Sequence, residues 1–223
     1  MLRLGRKYQF KYLRKEAIHC LQREFPGTLA LWDEREPNAH IAVEESFLFK
    51  VAYLAHENSI QSILPMIYLA IRDSYFTTGI KIGFSIRKTH SLRLNEPLSC
   101  IIAYEALLSQ VPSTILPFLH DGKIPSTSCL NPTACDNARN KLLADLWRDG
   151  GDFAIEFVTQ SWTKNKLQAR FCTKCASYVK GQYNRGRQKV WEMLPVLFGI
   201  DKPDVPWDLE CSDDENEEDN TGE

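Results

Sequence analysis

The stretch GRKYQFKYLRKEAIHCLQREFPG (Gly5–Gly27) sets the fold class. Leu4 just before it and its own Tyr8, Tyr12, Leu13, Ala17, Cys20, Leu21 and Phe25 recur at three- and four-residue spacing, the stripe of an amphipathic helix. FPG closes it: Pro26 disfavours the helical region at Phe25, and Gly27 opens a turn. A helix so near the first residue has little preceding chain on which to pack its apolar face.

The same period recurs downstream. Helices are expected over about 43–56 and 60–72 (Pro65 near the start of the second), then over about 97–109 and 113–119. Residues 76–94 have weak periodicity and read as loop, short strand or broken helix. A further helix is expected after Thr133, which with Asp136 forms a capping-box pattern, its apolar face being Ala138, Leu142, Leu143 and Leu146. A last helix runs from about Thr173 to Leu194 on the stripe Val179, Tyr183, Val190, Leu194, ended by Pro195 and Gly199. The tail CSDDENEEDNTGE is like-charged and free of aromatics, too polar to bury a core, and reads as disordered. The expected class is therefore mainly α, an irregular helical bundle with a disordered acidic C-terminal tail. Its expected divisions are 1–27, 28–120, 121–209 and 210–223.

Composition sets outer limits. At 223 residues, 43% hydrophobic and 25% charged, the chain can bury a core. The longest apolar run, Ile63–Ile71, is too short to span a bilayer. The start has no apolar segment of the secretory kind, and no N-glycosylation sequon occurs. The expected compartment is cytoplasmic or nuclear, where the seven cysteines stay reduced. The net charge of −2 conceals an asymmetry. Eight acids lie between Glu210 and Glu223, so the rest of the chain holds 27 basic against 21 acidic residues, about +6.

Four cysteines carry the one chemical constellation: TSCLNPTAC (Thr127–Cys135) and RFCTKCASY (Arg170–Tyr178). Thr133 and Thr173 as N-caps would place Cys135 and Cys175 in first helical turns, where the helix dipole favours thiolate. Cys129 and Cys172 lie in the approach loops. Cys-X5-Cys followed by Cys-X2-Cys could close a tetrahedral four-sulfur zinc site joining two helices. The competing reading is four reduced cysteines packed in a helical core. A redox role is weaker, because CTKC lacks a βαβ context and a flanking Trp.

Between Lys164 and Lys189 lie eight basic residues and no acid, with Tyr178 and Tyr183 among them. This is the pattern of a nucleic-acid surface, but more often that of a solvated helix face; the acidic tail could also screen it. His19, His40, His56, His90 and His120 are scattered without ligand spacing, and Glu44 and Glu45 point apart on a helix. No GxSxG, Walker or GxGxxG motif is present, so no enzyme is expected. Ser212, before DDE, resembles an acidophilic-kinase site.

Several stretches together resemble one family. LGRKYQFKYLRKEAIHCLQREFPGTLALWD is similar to the segment closing the BTB/POZ domain in the BTB proteins of mushroom-forming fungi. ENSIQSILPMIYLAI resembles their next helical stretch; CLNPTAC, FCTKC and RQKVWEMLPVLFGI resemble their C-terminal region. The likeness runs over most of residues 2–211 and is carried by the order and spacing of the pieces. It implies a helical region following a BTB fold and engaged in protein–protein contacts, with an unidentified protein partner, no membrane, and nucleic acid as the weaker alternative. It also implies that the sheet and dimerising face would lie before Met1, so self-association and cullin binding do not carry over. The opening stripe would pack on that part. The family's paired cysteines map onto Cys129, Cys135, Cys172 and Cys175, which brings structural zinc level with plain packing. The rival reading is a zinc-stapled nucleic-acid or chromatin-associated regulator.

Overall fold

In the computed structural model, residues 1–36, 45–75, 95–148 and 152–200 are described. Among them the regular structure is helical throughout: α1 (Leu2–Lys7), α2 (Lys11–Glu24), α3 (Leu29–Glu34), α4 (Glu45–Glu57), α5 (Leu64–Tyr75), α6 (Asn95–Gln110), α7 (Pro132–Arg148), α8 (Asp152–Thr159) and α9 (Thr173–Leu197), with shorter turns between. The mainly α expectation holds. Residues 76–94 and the acidic tail lie outside the described residues. No helix among those described is long and apolar enough to cross a membrane. The chain divides into two units, Met1–Tyr68 with Ile200 on, and Leu69–Gly199.

In the first unit, the single opening helix expected from the stripe is two helices. Gln9 adopts a left-handed φ of 56° and turns the chain between α1 and α2. The two pack closely where Gly5 meets Arg14; a Cβ on Gly5 would lie 3.0 Å from the Cβ of Arg14. The stripe divides accordingly. Ala17, Leu21 and Phe25 are buried, whereas Leu4, Tyr8 and Tyr12 are exposed. The Phe25–Gly27 stop acts as expected, with α2 ending at Glu24. Thr28 then caps α3, its hydroxyl accepting from the Leu31 N–H. Arg6 of α1 donates to the Glu57 carbonyl at the C-terminus of α4 (2.8 Å), where the helix dipole favours a cation. The core here is aliphatic: Leu48, Val51, Ala52, Ala55, Ile63, Leu64 and Ile67 are all buried.

The second unit is organised around α9. Val179, Tyr183, Val190 and Leu194 are wholly buried, as their spacing predicts. Pro195 does not end this helix; it sits in the last turn, and the chain winds on to Leu197 before Gly199 (φ 64°) leaves it. A proline there removes one backbone donor, a loss confined to the helix end. The helix expected over 113–119 is instead a wide π-turn, Val111–Ile115, followed by a 3₁₀ turn, Pro117–Leu119. Pro112 and Pro117 withhold the N–H groups that a regular helix would need. The π-turn backs onto α9 at Gly186, where a Cβ would lie 2.2 Å from the Thr114 carbonyl oxygen. Only glycine permits this approach.

Candidate functional site

Two loop-to-helix junctions bring the four cysteines together. In the first, the Cys129 N–H donates to the Ser126 carbonyl (2.9 Å), a turn that folds the loop back ahead of α7. The cap expected at Thr133 belongs to Asn131. Its side-chain oxygen accepts from the Ala134 N–H (3.2 Å), and Pro132 takes the first helical position. Both residues are good caps by type, and the proline after Asn131 decides between them. Cys135 still falls in the first turn of α7, its N–H donating to the Asn131 carbonyl. In the second junction the cap is Cys172 itself, in extended conformation, not Thr173. That places Cys175 in the first turn of α9.

The four Sγ atoms lie within 4.8 Å of one another. Cys129 Sγ and Cys172 Sγ lie 3.6 Å apart and both residues are half-buried; Cys135 and Cys175 are buried. All are free thiols, far beyond the bonding distance of a disulfide, about 2.05 Å. Among the described residues no histidine or carboxylate joins them as a further ligand.

Backbone N–H groups surround the sulfurs. The Cys172 N–H donates to Cys135 Sγ (3.3 Å), and the Ser126 N–H to Cys175 Sγ (3.5 Å). The Ser126 hydroxyl also lies 3.5 Å from Cys175 Sγ. The nearby peptide N–H groups of Cys175 and Leu130 favour the Cys172 thiolate and lower its pKa to about 6. Burial pushes Cys129 up to about 12, against the opposing bond from the Asn131 N–H. Burial likewise raises Cys135. Four thiols crowded together cannot all ionise without a counter-cation, so the cluster titrates as a unit rather than residue by residue.

The other candidates disperse. His56 Nε2 lies 2.7 Å from the Tyr68 hydroxyl, a structural pairing within the first unit. His40, His90, Glu44 and Ser212 lie outside the described residues. Of the eight basic residues in the 164–189 run, Arg187 is buried and donates to the Val158 carbonyl (3.1 Å), and Arg170 pairs with Asp145 (3.3 Å). Lys164, Lys166, Lys174, Lys180, Arg185 and Lys189 are exposed. Tyr183 is not a surface aromatic either: its hydroxyl donates between the Phe157 (3.1 Å) and Gln160 (2.6 Å) carbonyls.

A second feature has no counterpart among the motifs. Leu4, Tyr8, Phe10 and Tyr12 stand 53%, 55%, 57% and 83% exposed around the α1–α2 break, with the Tyr8 and Phe10 rings 6.0 Å apart. The helical stripe suggested burial for most of these positions, and the turn at Gln9 is what separates them from the core. Comparison with protein families, with curated proteins and with solved structures found no match.

Proposed function

We propose that the chain is a non-catalytic protein-interaction module, of the helical kind that accompanies the BTB/POZ fold in the fungal proteins it resembles. The observation that carries this reading is the exposed apolar strip Leu4, Tyr8, Phe10 and Tyr12. Contiguous exposed apolar side chains mark binding surfaces, and Tyr and Phe are enriched at protein interfaces. Exposed Lys7, Lys11 and Arg14 rim the strip, which suits a partner with an apolar centre and an acidic edge. The ordered resemblance along residues 2–211 supports the same reading, as does the lack of a catalytic motif.

The test is calorimetric titration of the full chain against the isolated BTB domain of a family member. Binding that a Tyr8→Lys, Tyr12→Lys double variant abolishes supports the module; no binding, or binding indifferent to the variant, refutes it. The six exposed basic residues of the 164–189 run favour the nucleic-acid alternative. Tight DNA or RNA binding that falls steeply with salt would replace the interaction reading.

A further inference from the structure

We propose that Cys129, Cys135, Cys172 and Cys175 bind one zinc ion as four thiolates, in a closed structural site that fastens the loop before α7 to the start of α9. This stands independently of the interaction reading, because all four residues belong to the unit Leu69–Gly199 and the exposed strip to the unit that holds Met1–Tyr68.

Geometry is the first support. With Zn–S bonds of about 2.3 Å, a regular tetrahedron has sulfur–sulfur edges of about 3.8 Å. Cys129 and Cys172 stand at 3.6 Å and every pair within 4.8 Å, so small side-chain adjustments bring all four onto one ion. An iron–sulfur cluster places several metal ions and bridging sulfides between its cysteines and needs them further apart. One ion fits this spacing.

The second support is the pair of peptide donors on the buried sulfurs: Cys135 and Cys175 each accept a backbone N–H, from Cys172 and Ser126 respectively. Neutral thiols are weak acceptors and have little use for such bonds. A zinc ion held by four thiolates keeps two negative charges, and N–H donors around the ligands are what stabilises them. The N-termini of α7 and α9 act in the same sense.

Plain packing accounts poorly for this arrangement. Cysteine used as a small core hydrophobe is buried among apolar atoms, whereas Cys129 and Cys172 are half-exposed with their sulfurs 3.6 Å apart, and Cys135 and Cys175 accept peptide N–H groups. Soft thiolates in tetrahedral array select zinc or iron. With four protein ligands no position is left for water or substrate, so the site is structural.

The experiment measures metals by mass spectrometry in the full chain purified without added metal. The expected result is about one zinc per chain, with the four cysteines protected from alkylation until a chelator removes the ion. Refilling the chelated protein with cobalt(II) should give the intense visible bands of a tetrahedral four-thiolate complex. Cys175→Ser removes a buried ligand and is vulnerable to misfolding; Cys129→Ser, at the half-exposed rim, tests the same point in a folded chain. Its zinc should yield to a competing chelator at least about tenfold more readily, and its cobalt bands should weaken, while Cys20→Ser changes neither. A folded, metal-free chain with all four thiols open to alkylation and no cobalt bands would overturn the proposal. So would iron in place of zinc, or a Cys129→Ser variant that holds its metal as the wild type does.

Discussion

Two glycines on α9 should respond oppositely to the same substitution. At Gly186 a methyl group would lie 2.2 Å from the Thr114 carbonyl oxygen and 2.5 Å from the Ile115 Cα, both backbone atoms of the π-turn. At Gly181 a methyl group would meet nothing within 4 Å. Alanine in a helix interior is favoured over glycine by about 1 kcal/mol. Gly181→Ala should collect most of that gain. Gly186→Ala must also move a helix and a buried turn apart by about an ångström; overpacking of this kind costs about 1–3 kcal/mol, and more when the obstacle is main chain. The expected net effect is a loss of about 2–3 kcal/mol, so the two variants should differ by about 3–4 kcal/mol. With a urea slope of about 2 kcal/mol/M, their midpoints would stand roughly 1.5–2 M apart. Hydrogen exchange read by mass spectrometry on α9 peptides across a urea series reports this unit specifically. A Gly186→Ala midpoint at or above that of the wild type would show that α9 does not lie against the π-turn as described.

Tyr183→Phe should cost about 1–3 kcal/mol in the same urea series, because buried carbonyls at the end of α8 lose their donor; a change below a few tenths would contradict it. Asn131→Ala removes the cap of α7 and should destabilise by about 0.5–2 kcal/mol, checked by the loss of amide protection in the first turn of that helix. Chelation should lower the melting temperature by on the order of 10 °C, the effect of removing an ion present at about a thousand times its dissociation constant. An unchanged melt of protein shown to have held zinc would mean that the ion does not stabilise the fold.

Where the sequence could be read, a long repeated period did the work. Val179, Tyr183, Val190 and Leu194 span several turns of one helix, and such a stripe survives small errors of boundary. The cysteine pairs were likewise legible as pairs, since each precedes or opens a helix. What escaped depended on single residues. Nothing in Lys7–Tyr8–Gln9–Phe10–Lys11 announces a break, since Gln9 is neither glycine nor proline, yet it takes φ 56°. The continuous stripe through it is therefore split, and its first half faces outward. Arg187 sits in a run that reads as a solvated basic face, and only the tertiary structure shows a carbonyl waiting for it. The sequence DFAIEFVT of α8 sets Asp152, Glu156 and Thr159 on one face, but eight residues are too few turns for the period to stand out.

The bonds from Tyr183 and Arg187 carry a consequence for how this unit opens. Phe157, Val158 and Gln160 carbonyls, at the end of an eight-residue helix, receive their donors from a helix more than twenty residues further along the chain. A segment of that length does not hold its shape alone in water. Helix α8 thus has no independent melting event: when α9 lifts away, it loses its terminal donors and its packing together. Its amides should exchange no more slowly than those of the middle of α9, making the pair a single cooperative element although the chain joins them through a loop.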